Sequence, residues 1–378
     1  MTDVLRKAPR TALVLGLAWI GAACGEPAGG VATTPGGTYE PGPRLLTLAG
    51  TGSEMGSAHG RLLGDRIRSL HRRWREALWQ AALGVASDDT GAAAASLRSH
   101  VEAVVDAAAF RLPERVRQEL DALAAAVDLE PLELIEVEVL RDVLRMRGVA
   151  PRLRGALAAF RTGEGGAAVR GRWVGPDAEL LAQEAIWVLR RPTDGRPATL
   201  ALAWPGALGG LLVTQDPAAP AGLLVASADV DVPAPWRGFR HGLPFSAALR
   251  VAMEAGGSLE EVAGSLKGSV GHVALTVAMG GGDPFAVAST EAYLTPTKTV
   301  KVLDGTTPPA LLVGPHADLD GEEQGALETA RGLPPEEAWT ALLRALGAGP
   351  DEPRLEVVLD CPAGSAGISR RLLPGSPP

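Results

Sequence analysis

The sequence predicts an α+β protein in which a helical N-terminal part is followed by a sandwich of buried strands. Apolar residues recur at helical spacing over much of the first 150 residues, whereas later segments are short, continuous apolar runs separated by turns. Such runs are typical of strands that are covered on both faces. Their order is not the regular strand–helix alternation of a doubly wound fold, so layered strands with helices outside are expected.

Composition and charge narrow the class of protein. The chain has 378 residues, of which 46% are hydrophobic and 21% are charged. This is the composition of a globular protein, and the length is sufficient to bury a large core. The formal net charge of −8 gives no basic footprint, which argues against a nucleic-acid partner.

The N-terminus has the features of an export signal. Basic residues precede an apolar run at 12–24, which has signal-peptide length and is short for a membrane span. The run ends in Gly-Ala-Ala-Cys, which resembles a bacterial lipobox. The resemblance implies that residues 1–24 are a lipoprotein signal peptide and that the lipidated Cys24 anchors the protein to a membrane. An ordinary signal peptide with an incidental Cys is the alternative.

The rest of the chain is predicted to form a tethered single domain in the bacterial cell envelope, facing the periplasm or the exterior. Residues 25–43 are dominated by Gly, Pro and Thr, a composition that favours a flexible tether over a packed core. The predicted divisions are a domain at 44–360, with a helical part at 44–150 and a sandwich at 151–360, and a tail at 361–378.

The helical part is predicted to open with a short strand at 44–49 and to contain four helices. These are residues 57–83, 92–110, 113–127 and a helix that begins near Pro131. In the first helix, the apolar stripe is complemented by an arginine stripe, which consists of Arg66, Arg68, Arg72, Arg73 and Arg75. We interpret this stripe as a solvated helix face rather than as a phosphate-binding surface.

The sandwich is predicted from the apolar runs after residue 190. Predicted strands are 198–204, 207–213, 222–227, 272–279, 285–289, 299–303, 311–313 and 355–359, and predicted helices are 245–255, 259–266 and 336–346. The helix at 259–266 opens with Ser258 and Glu261, which have the spacing of a capping box.

Five segments, taken in order, resemble a known family. They are GTGSEMGSAHGRLLGDRI (50–67), ELDALAAAVDLEPLELIEVEVLRD (119–142), HGLPFSAALRVAMEAGGSLEEV (241–262), VASTEAYLTP (287–296) and LLVGPHADLD (311–320). Together they resemble the isopenicillin-N acyltransferase-like family of N-terminal-nucleophile hydrolases. The resemblance covers about residues 45–359 and implies a four-layer αββα sandwich, with the helical part packed alongside, that acts on linear amide bonds.

Enzymes of this kind need Cys, Ser or Thr at the start of a core strand. Self-cleavage before that residue frees an α-amino group, which acts as the base for the side chain. Such an amine titrates near pH 7.7–8.0, close enough to neutrality to accept a proton. Donors such as Asn side chains then stabilise the oxyanion.

The stretch at 160–187 is where this machinery is expected, and the required residue types are missing. The family's Cys falls near 164–166, which reads Glu-Gly-Gly. The family's Asn-x-Asp pair falls on Glu184 and Ile186, and the Asn of a late turn falls on Pro315. The predicted vestigial pocket comprises Gly165, Gly171, Glu184, Ile186, Trp187, Pro315 and His316.

These replacements predict a catalytically degenerate homologue, a pseudoenzyme with a binding role. The ligand would be a small acyl or amide compound, or the partner another protein, and no cofactor or metal is implied. The acidic run at 316–323 is interpreted as a solvated turn rather than a metal site because it lacks a glycine-defined ligand loop.

Two other hypotheses stay open. One is an active amide hydrolase or acyltransferase that uses Thr162, or an unidentified residue, as its nucleophile. Glycines at 163, 165 and 166 count against Thr162, because they would make a poorly specified strand beside it. The other is a purely structural envelope lipoprotein.

Overall fold

The protein is α+β in a computed structural model. The described residues are 30–85, 91–146, 154–162, 166–175, 177–215, 223–228, 242–255, 273–278, 286–291, 311–312, 333–345, 354–361 and 369–373. Helices in these ranges are α1 (Gly52–Val85), α2 (Ala92–Arg111), α3 (Glu114–Val127), α4 (Pro131–Met146), α5 (Ala178–Glu184), α6 (Phe245–Ala255) and α7 (Pro335–Ala345).

The strands of the described ranges form two sheets. They are β1 (Ala32–Thr34), β2 (Gly37–Glu40), β3 (Leu45–Gly50), β4 (Arg154–Thr162), β5 (Gly166–Val174), β6 (Ile186–Pro192), β7 (Thr199–Ala203), β8 (Leu212–Gln215), β9 (Leu223–Ala228), β10 (Val273–Ala278), β11 (Ala286–Glu291), β12 (Leu311–Leu312), β13 (Arg354–Cys361) and β14 (Ser369–Leu373). The larger sheet has the order β1-β2-β3-β6-β7-β8-β9-β10-β11, and the smaller sheet has the order β12-β4-β5-β13-β14.

The N-terminal strands belong to the larger sheet, which corrects the predicted division at residue 150. Strand β3 pairs in parallel with β6, so Leu45 lies opposite Trp187. All other pairs in the two sheets are antiparallel. The helical part and the sandwich therefore share one sheet. The sequence predicts instead a helical layer followed along the chain by a separate sandwich.

The predicted tether is wrong for residues 32–40, because β1 and β2 extend the larger sheet. Tyr39 of β2 is buried, and Arg66 Nη1 on α1 donates a hydrogen bond to its hydroxyl at 2.6 Å. Gly36 provides the positive φ of 83° that the turn between β1 and β2 requires. The burial of Tyr39 and the hydrogen bond to its hydroxyl thus stabilise a strand in a segment whose Gly- and Pro-rich composition favours a flexible chain.

The prediction that residues 361–378 form a tail outside the domain is also wrong, because residues 369–373 form strand β14. Strand β13 continues to Cys361, and β14 pairs with it so that Val358 lies opposite Arg371. The backbone of β13 is paired on both edges, with β5 on one side and β14 on the other.

Helix α1 begins earlier than predicted, at Gly52, because Thr51 and Glu54 form a capping box. The Glu54 backbone N–H donates to Thr51 Oγ1 at 3.3 Å, and the Thr51 backbone N–H donates to Glu54 Oε2 at 2.7 Å. Each side chain satisfies an amide that has no partner within the helix.

A repeat of glycines on α1 lets helix α3 approach closely. Gly52, Gly56 and Gly60 lie one turn apart on the same face. A Cβ at Gly56 would lie 2.1 Å from the carbonyl oxygen of Glu119, and one at Gly52 would lie 2.2 Å from that of Arg115. Packing of α1 against α3 therefore accounts for the glycines in the segment at 50–67.

Most of the remaining predicted elements are confirmed in type, whereas strands β4, β5 and β6 were not predicted. Residues 207–211 precede β8 as a loop, because a Cβ at Gly209 would lie 1.8 Å from the Ser246 carbonyl oxygen at the start of α6. Helix α5, at residues 178–184, has no counterpart among the predicted elements. The predicted helix at 259–266 and strand at 299–303 lie outside the described residues.

The contacts between elements place helices against both sheets. Helix α6 packs on β8 and β9 of the larger sheet, whereas α7 packs on β4 of the smaller sheet. Strand β4 in turn contacts β9, so the two sheets approach each other at these strands. Large buried side chains of the core include Trp74 on α1, Trp173 on β5 and Trp187 on β6.

Candidate functional site

The start of β5 is the position that a nucleophile would occupy in the family that the sequence resembles. Strand β5 begins at Gly166 and is the central strand of the smaller sheet, between β4 and β13. The family's Cys is expected at 164–166, which includes this first residue of the strand. Gly166 has no side chain and cannot attack a carbonyl. Gly165 lies outside the described residues.

Thr162 lies at the end of a strand instead of at a start. It is the last residue of β4 and pairs with Gly166, while the preceding Arg161 pairs with Ala167. The peptide bond before Thr162 is therefore part of a paired strand. Self-cleavage there would cut β4 inside its hydrogen-bonded ladder.

Glu184 has a structural role at the position of the family's Asn. It is the last residue of α5, and its carboxylate accepts hydrogen bonds from Arg66 Nη2 at 3.2 Å and from Arg73 Nη2 at 2.7 Å. Both arginines belong to α1. A carboxylate held in this way accepts hydrogen bonds and has none to donate to an oxyanion. Glu184 instead joins α1 to the chain that enters β6.

Ile186 and Trp187 follow at the start of β6, and both side chains are fully buried. The Trp187 backbone N–H donates to the Arg44 carbonyl oxygen at 2.8 Å, which fixes β6 beside β3. Ile186 replaces the carboxylate of the family's pattern with an apolar side chain that packs in the core. These two positions therefore contribute to stability.

Gly171 lies on β5 of the smaller sheet, whereas Ile186 and Trp187 lie on β6 of the larger sheet and Glu184 ends α5. It pairs with Leu157 on one side and Val357 on the other, and a Cβ there would lie 2.9 Å from the Trp173 ring and from Val357 Cγ2. Close packing explains the glycine. Of the other predicted site residues, Pro315, His316 and the lipidation residue Cys24 lie outside the described residues.

The structure reveals a buried ion-pair network that sequence reasoning missed. It consists of Arg115 and Glu119 on α3, Arg190 on β6, and Arg250 and Glu254 on α6. Glu119 accepts hydrogen bonds from Arg190 Nε at 3.1 Å and from Arg250 Nη2 at 2.5 Å. Glu254 accepts hydrogen bonds from Arg250 Nε at 2.5 Å and from Arg115 Nε at 3.0 Å.

The same network holds the loop between β7 and β8. Arg190 Nη2 donates to the Ala207 carbonyl oxygen at 3.2 Å, and Arg250 Nη1 donates to that of Leu208 at 2.9 Å. The Gly206 backbone N–H donates to Nε2 of the buried His59 at 3.1 Å. His59 is thus packed in the core and hydrogen-bonded to the loop.

Helix α4 reaches this loop through two carboxylates. Glu138 accepts hydrogen bonds from the Leu208 backbone N–H at 3.1 Å and from the Ser246 hydroxyl. Asp142 accepts a hydrogen bond from the Phe245 backbone N–H at 3.0 Å, which caps the start of α6. Polar contacts thus connect α1, α3, α4, β6 and α6 around one short loop.

Burial and neighbouring charges shift the pKa values in this region in different directions. Burial raises the pKa of Glu119, but Arg250 and Arg190 outweigh this effect and lower it to about 2. Burial and then Arg190 lower the pKa of His59 to about 3, so the ring is neutral. Burial raises the pKa of Glu138 above its ordinary value, despite the hydrogen bond from Ser246.

One sequence signal could have found the network. Glu119 lies in the apolar stripe of α3, between Val116 and Leu123, where helical spacing places it towards the core. A charged residue at such a position is almost never buried without a partner. The partners on β6 and α6 are distant in the sequence, so pattern alone could not identify them.

The arginine stripe of α1 is divided between two surroundings. Arg66 and Arg73 bind Glu184. A groove of about 430 Å³ beside α1 is lined by Arg68, His71, Arg72, Arg75, Glu76, Trp79, Asp128, Leu129 and Glu133. Its three arginines face three carboxylates, so the groove has no excess of positive charge that would favour a phosphate.

Neither metal ligands nor a membrane span is found in the described ranges. No three His, Cys, Asp or Glu side chains there are grouped as metal ligands would be, and the acidic run at 316–323 lies outside them. None of the helices described is both long and apolar enough to cross a membrane.

Comparison with known proteins does not place the chain in a family. No protein-family model matches it, and no curated protein matches it significantly. The family resemblance therefore depends on the five sequence segments.

Proposed function

We propose that the protein is a catalytically degenerate relative of the isopenicillin-N acyltransferase-like hydrolases. It binds an acyl or amide ligand without cleaving it. The single observation that carries this proposal is Gly166, which begins the central strand β5 where such an enzyme needs a nucleophilic side chain.

The arrangement of elements supports the four-layer part of the proposal. Contacts run from α6 to β8 and β9, from β9 to β4, and from β4 to α7. That sequence of contacts is the order of a helix layer, two sheets and a second helix layer. The hairpin of β4 and β5 brings the expected nucleophile position to one end of the smaller sheet.

The residues at the other expected catalytic positions support the loss of activity. The Glu184 carboxylate forms ion pairs with Arg66 and Arg73, and the Ile186 side chain is buried in the core. Pro315, which stands where the family has Asn, offers no side-chain donor. A single oxyanion donor is typically worth about 10²–10³ in rate, so restoring one group alone would not restore efficient turnover.

The proposal also includes export and anchoring to a membrane, for which the support is the sequence of the N-terminus. The lipobox-like Gly-Ala-Ala-Cys ends the apolar run, and Cys24 is the residue that would receive the lipid. Several acyl chains give firm attachment, since each buried methylene contributes about 0.8 kcal/mol. The protein would face the periplasm or the exterior from a lipid anchor.

A turnover assay combined with thermal melting tests the proposal. The purified protein is incubated with a panel of chromogenic N-acyl amides, and its melting temperature is measured with the corresponding non-chromogenic amides. We expect no turnover above the blank and a rise in melting temperature with at least one amide.

The matched variants are Thr162→Ala and Thr193→Ala, the second at an exposed threonine far along the chain. Turnover that Thr162→Ala abolishes and Thr193→Ala preserves would establish the active-enzyme alternative. No turnover and no melting shift with any amide would favour a structural lipoprotein over a binding protein.

A further inference from the structure

We propose that the groove beside α1 binds a small zwitterion with an ammonium, a carboxylate and an apolar group, as a free amino acid with an apolar side chain has. The groove has a volume of about 430 Å³ and lies between α1, the end of α3 and the start of α4. This volume is in the range of small-ligand sites. The proposal is independent of the proposed function, because the groove lies among helices and away from the start of β5.

Asp128 lines the groove at a position where both the backbone and the helix dipole disfavour aspartate. It caps the C-terminus of α3 in the left-handed conformation, with a φ of 56° and a ψ of 48°. Glycine is the usual residue in this conformation, and the carbonyl end of a helix repels a negative charge. The carboxylate has no hydrogen-bond or ion-pair partner among the described residues. A bound ammonium would supply this partner and offset the repulsion from the helix end.

Arg72 provides the opposite charge in the same groove. Its guanidinium is exposed and, in the described part of the chain, forms no hydrogen bond or ion pair, Asp128 included. One turn earlier on α1, Arg68 Nη1 donates to the carbonyl oxygen of Val127 at 3.3 Å, so the α1 wall meets the chain next to Asp128. A guanidinium binds a carboxylate through two parallel hydrogen bonds. A zwitterion can therefore place its carboxylate on Arg72 and its ammonium on Asp128.

The charges around the groove nearly balance, which favours a ligand that carries both charges. Three cations and three anions line it, namely Arg68, Arg72, Arg75, Glu76, Asp128 and Glu133. Next to the lining, Arg98 lies over the ring of Trp79, and Asp65 and Glu136 bind two of the lining arginines. With these neighbours included, four cations face five anions. A simple anion or a simple cation thus gains little from the surrounding charge.

Trp79 and Leu129 give the groove an apolar surface. Trp79 Nε1 donates to Glu136 Oε1 at 2.6 Å, and Arg98 lies 5.6 Å from the ring centroid, so the ring is oriented before a ligand binds. Arg72 and Trp79 are two turns apart on α1, which is about 10 Å along the helix axis. A ligand held by its charges beside Arg72 can direct a side chain of phenylalanine size towards Trp79.

Isothermal titration calorimetry of the purified protein with L-phenylalanine tests the proposal at neutral pH. We expect a Kd of about 1 mM or tighter. Two analogues each lack one charge and contain no amide bond: 3-phenylpropionate has no ammonium, and phenethylamine has no carboxylate. Each should bind about tenfold more weakly, because one charged group of the groove stays without a partner. No binding of phenylalanine, or equal binding of the three compounds, would overturn the proposal.

Matched variants assign the binding to this groove. Asp128→Asn and Arg72→Gln should each weaken phenylalanine binding about tenfold. Asparagine tolerates the left-handed conformation, so Asp128→Asn should melt no lower than the wild type. The controls are Asp121→Asn and Arg61→Gln, which alter exposed residues of α3 and α1 outside the groove and should keep the wild-type affinity. Unchanged affinity in Asp128→Asn, or an equal loss in the controls, would contradict the proposal.

Discussion

At the scale of single residues, Glu119 is the charge on which the buried network depends most. Its carboxylate binds both Arg190 and Arg250, and all three side chains are almost fully buried. Removing one partner of a buried pair leaves an uncompensated charge, which is far more costly than the net value of the pair.

Glu119→Gln should therefore lower the free energy of unfolding by about 3–5 kcal/mol. Urea unfolding measures this value. Glu133→Gln is the matched control, because Glu133 lies 3.9 Å from Arg75 with both side chains more than a third exposed. Such an exposed pair should cost less than about 1 kcal/mol. Similar losses for the two variants would show that Glu119 is not the centre of the network.

His59 should make stability depend on pH in a window of its own. Its pKa falls from 6.5 to about 3 on folding, so below pH 6.5 the unfolded chain binds a proton that the folded chain excludes. Stability is then lost as the pH falls, by about 1.4 kcal/mol per unit. Glu119 contributes only below its ordinary 4.5, since its pKa in the folded protein is about 2.

The measurement is urea unfolding of wild type and His59→Gln from about pH 7 to about pH 5. The wild type should lose about 2 kcal/mol more than the variant over this range. Comparison with the variant is needed because Glu138, whose pKa is raised, stabilises the folded state as the pH falls. Parallel curves for the two proteins would exclude His59 as the cause.

At the scale of elements, the glycines of α1 determine how closely α3 packs. Helix interiors ordinarily favour Ala over Gly by about 0.5–1 kcal/mol. Gly84 near the end of α1 has open space around it, whereas a Cβ at Gly56 would lie 2.1 Å from the backbone oxygen of Glu119. The same substitution should thus have opposite effects in one helix.

Gly84→Ala should raise the free energy of unfolding by about 0.5–1 kcal/mol, because the alanine fits the helix and restricts the unfolded chain. Gly56→Ala should lower it by about 1–3 kcal/mol, because α3 must move away. Thermal melting of the two single variants checks both signs. Stabilisation by both would mean that α1 and α3 do not pack as closely as described.

At the scale of the whole molecule, the sequence predicts the helices well because their periodic apolar stripes are local. Helix α6 has the predicted bounds, and α2, α3 and α4 differ by little. The strands β1 and β2 were missed because burial of Tyr39 depends on Arg66, a residue of another element. The parallel pairing of β3 with β6 is likewise a distant contact that no local pattern contains.

In the candidate site, too, the contacts between residues that are distant in the sequence could not be predicted. The family resemblance predicts that the stretch at 160–187 holds the nucleophile, and Gly166 begins a central strand within this stretch. The binding of Glu184 by Arg66 and Arg73 could not be predicted, because all three lie in polar patterns that solvated helices share. The buried ion-pair network was missed since its residues come from α3, β6 and α6.

The central claim, a hydrolase-like scaffold without a working nucleophile, is tested most directly by the intact mass of the purified protein. An N-terminal-nucleophile enzyme must cut its own chain before it can act. We predict one uncut species whose mass shows no break anywhere in residues 160–187. Two fragments separated before Thr162, or before any other residue of this stretch, would contradict the claim.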